Sequence, residues 1–270
     1  MTLLIYLLLG TLAFGQAFTF QDQAYMGQVM GGGAGSPAWV PTDYSGLIGW
    51  YKFDALTNAD NTAVTYAPDS SGLGRDLSQS VAARQPVYSN NLQNALGGIY
   101  IDSATTDCLT NIAAAQLEFT NMTLYAVMYR IRIGGKRSCV IMPSAYNNDY
   151  DGAYAGIIGS DVSGDAYGMR DYRGANLSYL SPIITNKAAL FISAYDTLTN
   201  QIWMGSSVGS KVACTQPFRC NRLVVGAGMV SSAPSLGMSG NWYELLIYTN
   251  VHNASQRAVV GSYLSNRWAL

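Results

Sequence analysis

The sequence predicts an all-β fold, a sandwich or jelly roll, with an apolar N-terminal arm and one C-terminal helix. Three observations predict it. Charged residues make up only 11% of the 270-residue chain, while Gly (28) and Tyr (19) are abundant beside Ser, Asn and Thr; this is the palette of strands joined by tight turns. Leu124 to Ile133 alternates: Tyr125, Val127, Tyr129, Ile131 and Ile133 fall on one side, Leu124, Ala126, Met128, Arg130 and Arg132 on the other. That is a strand period with one dry face. Short apolar runs also recur along the chain between Gly, Asn and Ser clusters, the spacing of a sandwich rather than of βαβ units.

The elements follow in order. Residues 3 to 14 are almost all apolar, with Leu3, Leu4, Ile5, Leu7 and Leu8 at their centre. A secretory leader ending at Gly15-Gln16-Ala17 would have this core, yet no Lys or Arg precedes Lys52, so the positive start of a leader is missing. The run is also shorter than the roughly 20 apolar residues a membrane span needs. Phe18, Phe20 and Tyr25 extend the apolar character, and GGGAGSP (31–37) is a flexible joint. The division expected is an arm and hinge over 1–37 and one domain over 38–270. The arm is read as packing against a neighbouring subunit or a larger assembly; the alternative makes residues 1–17 a leader.

In the domain, strands are expected within 45–54, 124–133, 189–196, 201–207, 222–228 and 241–249, with a hairpin connection after Tyr195. One helix closes the chain. Asn253 caps it, Gln256 completes an N-x-x-Q start, and Val259, Tyr263, Leu264 and Trp268 share a face.

LGMSGNWYELLIYTNVHNASQRAVVGSYLSNRWAL (236–270) resembles the closing segment of laminin-G-like, concanavalin A-like jelly-roll domains, in which a strand carrying a Glu leads into a short capped helix ending "YL…RW". LIGWYKFD (47–54), PDSSGLGRDL (68–77) and GGIYIDSATTDCL (97–109) are similar to that family's first strand, its D-x-S-G-x-G turn and its next strand. The resemblance implies the jelly-roll fold over residues 45–270 and a structural role for Glu244. The arm, the hinge and the lead-in SPAWVPTDYSGLIGWY also resemble bacteriophage virion proteins that carry such domains: capsid decoration, head-fibre or tail components.

Charge narrows the function. The net charge is −1 and the longest basic run is Lys136-Arg137, so a phosphate backbone is not an expected partner. Glycosidases on this jelly roll resemble one another in closely spaced carboxylates, Glu-x-Asp-x-x-Glu, and retaining chemistry needs two carboxyls about 5 Å apart. Glu118 and Glu244 are the two Glu of the chain and stand apart, and His252 is its one His. A Ser/His or Cys/His triad is therefore not expected, His252 reads as a turn residue, and the chain reads as non-enzymatic, with no catalytic residues.

No cofactor is expected, and calcium is the candidate ion. Asp149 and Asp151 in NNDYDG, or Asp161 and Asp165 in SDVSGD, have the oxygen ligands for it, though the same residues build turns without a metal. Tyr146, Asp149, Tyr150, Asp151, Tyr154 and Tyr167 combine aromatic platforms with carboxylates, a pattern that serves glycan binding or a packed interface equally. Cys214 and Cys220 flank TQPFR and are placed for a small-loop disulfide in an oxidising compartment; four buried thiols are the alternative.

The resulting expectation is a homo-oligomeric virion structural protein. Its arm contacts other virion proteins, and its lectin-like jelly roll meets cell-surface glycans without spanning a membrane. The alternative is a secreted carbohydrate-binding module.

Overall fold

The structure is a computed structural model. The chain divides between Ala38 and Trp39, and the residues described are 39–102, 104–119, 121–132, 154–159, 167–170, 177–180, 187–196, 199–213, 218–230, 233–235 and 239–270. The expected arm residues Leu3, Leu4, Ile5, Leu7, Leu8, Phe18, Phe20 and Tyr25 lie outside them.

Strands in chain order are β1 (Leu47–Lys52), β2 (Tyr66–Ala67), β3 (Leu77–Ser78), β4 (Val87–Gln93), β5 (Leu96–Ile101), β6 (Leu109–Phe119), β7 (Met122–Arg132), β8 (Tyr154–Gly159), β9 (Tyr167–Arg170), β10 (Leu177–Leu180), β11 (Ala188–Tyr195), β12 (Thr199–Met204), β13 (Ser207–Val208), β14 (Val212–Ala213), β15 (Phe218–Val225), β16 (Gly228–Val230), β17 (Ala233–Ser235) and β18 (Ser239–Tyr248). The helix is α1 (Ala254–Trp268). The larger sheet has nine strands, ordered β13-β12-β11-β7-β18-β5-β4, with β1 on β18 and β14 on β12. The smaller sheet runs β15-β6-β3-β2, and β10-β9-β8 and β16-β17 pair separately. This is the all-β jelly-roll sandwich that the composition and alternation predict.

Strand β18 organises the larger sheet. Along one edge it pairs antiparallel with β7. Its other edge is shared, with Gly240–Trp242 against β5 and Glu244–Tyr248 against β1. The β7 pairing slips between Trp242 and Glu244. Such a bulge puts an extra residue on one strand and re-aims the side chains that follow. The core shows the effect: Trp242, Leu245 and Ile247 pack between the sheets, while Tyr243, Leu246 and Tyr248 pack with α1. Tyr243 and Glu244 therefore both reach the helix side, which strict alternation would forbid. Gly98 makes room for the bulge, because a Cβ there would lie 2.7 Å from the Trp242 carbonyl oxygen.

Two apolar layers result. Between the sheets, Leu124, Ala126 and Met128 of β7 meet Leu77, Leu109, Leu223 and Val225 of the smaller sheet. On the far side, Tyr125 and Val127 pack with Val260, Leu264 and Trp268 of the helix. The alternation of β7 predicted one dry face; from Met122 to Met128 both faces are buried, because α1 covers the second. The expected hairpin is present, with Tyr195 opposite Asn200 and the Asp196 carboxylate accepting from the Thr199 amide at 2.5 Å.

The helix starts as the N-x-x-Q pattern predicts. Asn253 Oδ1 accepts from the Gln256 amide at 2.9 Å and Gln256 Oε1 accepts from the Asn253 amide at 3.0 Å. Its buried face is Val260, Leu264 and Trp268; Val260 replaces the expected Val259. The other end is held by the β4–β5 hairpin. Asn94 donates to the Arg267 carbonyl and Gln93 to the Trp268 carbonyl, each at 2.7 Å, satisfying acceptors that a helix end leaves open. Replacing Leu264 by Ala should cost about 2–5 kcal/mol of stability and replacing Asn253 by Ala about 1 kcal/mol, read as shifts in the urea midpoint.

His252 precedes the helix, as expected of a turn residue, but its ring is fully buried. Its Nδ1 lies 2.7 Å from the Tyr125 hydroxyl, and the Tyr248 ring packs 4.3 Å away between centroids. Burial, with help from the Arg257 charge, pulls its pKa down from 6.5 to about 4. A neutral native histidine contributes stability that is intact above the unfolded value of 6.5 and is lost as pH falls through about 4. The urea midpoint of the unmodified chain should therefore drop further between pH 6.5 and pH 4 than that of His252→Gln; parallel profiles would contradict the assignment.

Candidate functional site

The carboxylate that the resemblance marks as structural sits in a closed cage. Glu244 is fully buried. Its Oε1 accepts from Trp50 Nε1 at 2.8 Å and from the Tyr263 hydroxyl at 3.2 Å, and its Oε2 accepts from Trp268 Nε1 at 2.8 Å. Arg267 Nε pairs with Oε2 at 3.1 Å, and Arg267 Nη2 reaches Asp54 Oδ2 at 2.5 Å. Burial pushes the Glu244 pKa above its ordinary value, against the two indole donors and Arg267, which pull it down. The cage joins β1, β18 and α1 and leaves Glu244 no path to solvent, so its role is to hold those elements together. Glu244→Ala should cost about 3–5 kcal/mol, the scale of breaking a buried ion pair from one side, read as a shift in the urea midpoint.

The stretch expected to bind glycan is only partly described. Tyr146, Asp149, Tyr150 and Asp151 lie outside the described residues, as do the calcium candidates Asp161 and Asp165. Tyr154 opens β8 and Tyr167 opens β9. Tyr154 stands opposite Arg170, and Tyr167 opposite Gly159. The two tyrosines thus sit at opposite ends of one antiparallel strand pair. Among the described residues, no group of three or more His, Cys, Asp or Glu could hold a metal. Of the proposed disulfide, Cys214 lies outside the described residues and Cys220 falls on β15. Cys108 is free and buried, its thiol pushed up to about 11 by desolvation.

Gly205-Ser206-Ser207-Val208-Gly209 spells G-x-S-x-G. It occupies the β12–β13 hairpin, a strand-to-strand turn, and not the strand-to-helix elbow that activates such a serine.

A second cluster emerges from the D-x-S-G-x-G turn. Asp69 is its hub: Oδ1 accepts from the Trp50 and Ser71 amides at 2.9 and 2.8 Å, and Oδ2 from the Ser71 hydroxyl at 2.7 Å and the Arg75 amide at 3.1 Å. Gly72 and Gly74, at φ +86° and +65°, supply the left-handed bends. The turn delivers Asp76, whose Oδ1 accepts from the Asp69 amide at 2.7 Å and whose Oδ2 accepts from the Tyr66 hydroxyl at 2.5 Å. Those two donors hold its carboxyl below the usual range.

Sheet register then builds a row. Tyr66 pairs with Ser78, Ser78 with Thr110 and Thr110 with Val224, one residue from each strand of the smaller sheet. Their neighbours Ala67, Leu77, Leu109 and Val225 fill the core, so Tyr66, Ser78 and Thr110 face outward, while Val224 at the β15 end is fully buried. Beside it lies a groove of about 360 Å³ lined by Asp76, Ser78, Gln79, Ser80, Thr110 and Asn111. Tyr66, 49% exposed, stands at its Asp76 end. An open aromatic ring beside a carboxylate, hydroxyls and an amide can stack on an apolar face and hydrogen-bond to polar groups around it. Sequence reading missed this site because β2 and β3 are two residues each, too short to show alternation. The Asp-rich turn was the one available signal.

No protein-family model and no curated protein matches the chain. Solved structures do share its fold. A GH54 α-L-arabinofuranosidase soaked with 4-nitrophenyl α-L-arabinofuranoside matches with TM-score 0.57 at 14% identity, over 83% of this chain and 61% of that one. An arabinofuranosidase complexed with arabinofuranosyl-α-1,2-xylobiose matches with TM-score 0.53 at 14% identity, over 81% and 60%. Trypanosoma rangeli sialidase, in complex with 2,3-difluoro-KDN, matches with TM-score 0.53 at 12% identity, over 87% and 35%. The chain thus spans less than two thirds of each of these proteins.

The comparisons correct one expectation and leave part of another without support. The concanavalin A-like sandwich holds at the level of fold, but these neighbours are a sialidase and arabinofuranosidases, and they give the phage and laminin-G resemblances no support. The non-enzymatic reading is withdrawn, because the matching structures are glycoside hydrolases. It rested on the spacing of two glutamates along the chain, and a sandwich can assemble carboxylates from separate strands. At these identities the likeness establishes the fold, and hydrolysis by this chain is a matter for assay. Among the described residues, no helix is long and apolar enough to cross a membrane.

Proposed function

We propose that the chain is a glycan-recognising β-sandwich, and that the outer face of its smaller sheet is where sugar docks. The observation that carries this reading is the Tyr66–Ser78–Thr110 row beside the Asp76 groove: an exposed ring held by its hydroxyl at the edge of a polar trough. The sharing of the fold with carbohydrate-active proteins supports it. Tyr66→Ala removes the platform at an exposed position, where a fold change is not expected. It should weaken glycan binding about tenfold, the effect of ~1.4 kcal/mol of lost contact. Calorimetry against an oligosaccharide panel measures this, and turnover of the same sugars is scored alongside, since the fold accommodates hydrolases.

The location expected from the sequence, a virion particle reached through residues 1–37, is retained as a proposal about placement, with arm-mediated homo-oligomers as its molecular form. Deleting residues 1–37 should convert an assembled species into a monomer of unchanged sugar affinity, as read by sedimentation velocity. A monomeric full-length chain would remove the proposal.

A further inference from the structure

We propose that the Asp76 groove selects neutral glycans and rejects acidic ones such as sialosides and uronates; this rests on the glycan-recognition reading above. The argument is an inventory of donors and acceptors. Asp76 lines the groove as an ionised carboxylate, held so by the Asp69 amide and the Tyr66 hydroxyl. Each of its oxygens carries one of these bonds and retains acceptor capacity for a sugar hydroxyl. Asn111 commits one N–H of its amide to the Asp76 carbonyl at 2.8 Å, which leaves its Oδ1 as a further acceptor and its second N–H as a donor.

Donors are scarce in the groove. The Gln79 amide nitrogen is committed to the Cys108 carbonyl and sulfur, each at 3.1 Å, and its Oε1 accepts from the Val81 amide. Thr110 donates to the Ser78 carbonyl at 3.2 Å. The exposed hydroxyls of Ser78 and Ser80 remain. Among the described residues, no Lys or Arg lines the groove. The nearby Arg75 donates to the Ile48 carbonyl at 3.0 Å, and Arg84 lies on the turn Ala82–Arg84, outside the lining.

A sugar carboxylate bound here would meet a fixed negative charge and, among the described lining residues, no cation. Like charges in contact repel even at the dielectric of water, and more strongly near a protein surface. A neutral sugar meets the opposite situation. Its hydroxyl protons face the acceptors Asp76 and Asn111, and its apolar ring face meets Tyr66. The ligand class is therefore a neutral oligosaccharide presenting adjacent hydroxyls.

The test is calorimetric titration of the full chain with arabinotriose, xylobiose and 3′-sialyllactose, repeated with Asp76→Asn and with Ser80→Lys at an exposed position. The expected result is binding of at least one neutral sugar with sialyllactose at least tenfold weaker. Asp76→Asn should lose at least fivefold for the neutral sugar, and Ser80→Lys should narrow the gap to sialyllactose. Because Asp76 also supports its turn, Ser80→Lys keeps the test valid if Asp76→Asn misfolds. Sialyllactose binding as tightly as the neutral sugars would overturn the selectivity and leave glycan recognition standing. Neutral binding that ignores Tyr66→Ala, Asp76→Asn and Ser80→Lys would overturn the assignment to this groove. Failure of every sugar to bind would overturn both readings.

Discussion

A carboxylate withdrawn from water must be met by donors, and in this fold that requirement is placed where three elements converge. Glu244 gathers an indole N–H from β1, an indole N–H, a phenol and a guanidinium from α1, and through Arg267 the carboxylate of Asp54. None of these partners is satisfied if the helix or the first strand docks elsewhere. The cage therefore acts as a registration device, because a mis-set helix would leave a buried charge unpaired. The bulge at Tyr243 brings the carboxylate to the helix side, and Gly98 leaves the space for it. Backbone irregularity, glycine placement and polar satisfaction here serve one end.

That arrangement also decides where a ligand can be met. The larger sheet is covered on its inner face by the smaller sheet and on its outer face by α1, over most of β7 and β18. Among the described residues no helix lies over the smaller sheet, and Tyr66, Ser78 and Thr110 place polar side chains on its outer face, while Val224 is covered. The D-x-S-G-x-G turn links the two regions. Asp69 binds the amide of Trp50, whose ring is in the Glu244 cage, and its own amide fixes Asp76 in the groove. The groove residues are thus braced against the Glu244 cage.

Much of the fold was legible in the sequence, and the reasons are local. The period of Leu124–Ile133, the hairpin after Tyr195 and the capping pair Asn253–Gln256 each depend on residues close together in the chain. What escaped depends on distant partners. Both faces of β7 are buried only because a helix more than 120 residues later lies over one of them. Val260 displaces Val259 because helix rotation is set by Trp268 in its cage. The β4–β5 turn at Asn94-Ala95, with φ of 51° and 58°, lacks the Asn-Gly signature, since part of its stabilisation comes from the helix carbonyls it caps. The tyrosine-rich stretch 146–173 stands out by composition and lies largely outside the described residues. The described groove instead uses one tyrosine and small polar residues assembled across strands by register, which no linear pattern records.

One consequence concerns the order in which the chain can become a protein. The strand that bridges β7 to both β1 and β5 is the last of the eighteen described. On the ribosome, β1, β5 and β7 emerge and wait with exposed hydrogen-bonding edges until β18 arrives, and α1 can close over the sheet only afterwards. Such late, long-range closure slows folding and extends the interval in which open edges can pair with other chains. The low surface charge offers little repulsion during that interval. For this architecture, the emergence of β18 and α1 is the step that turns a set of adhesive strands into a closed domain.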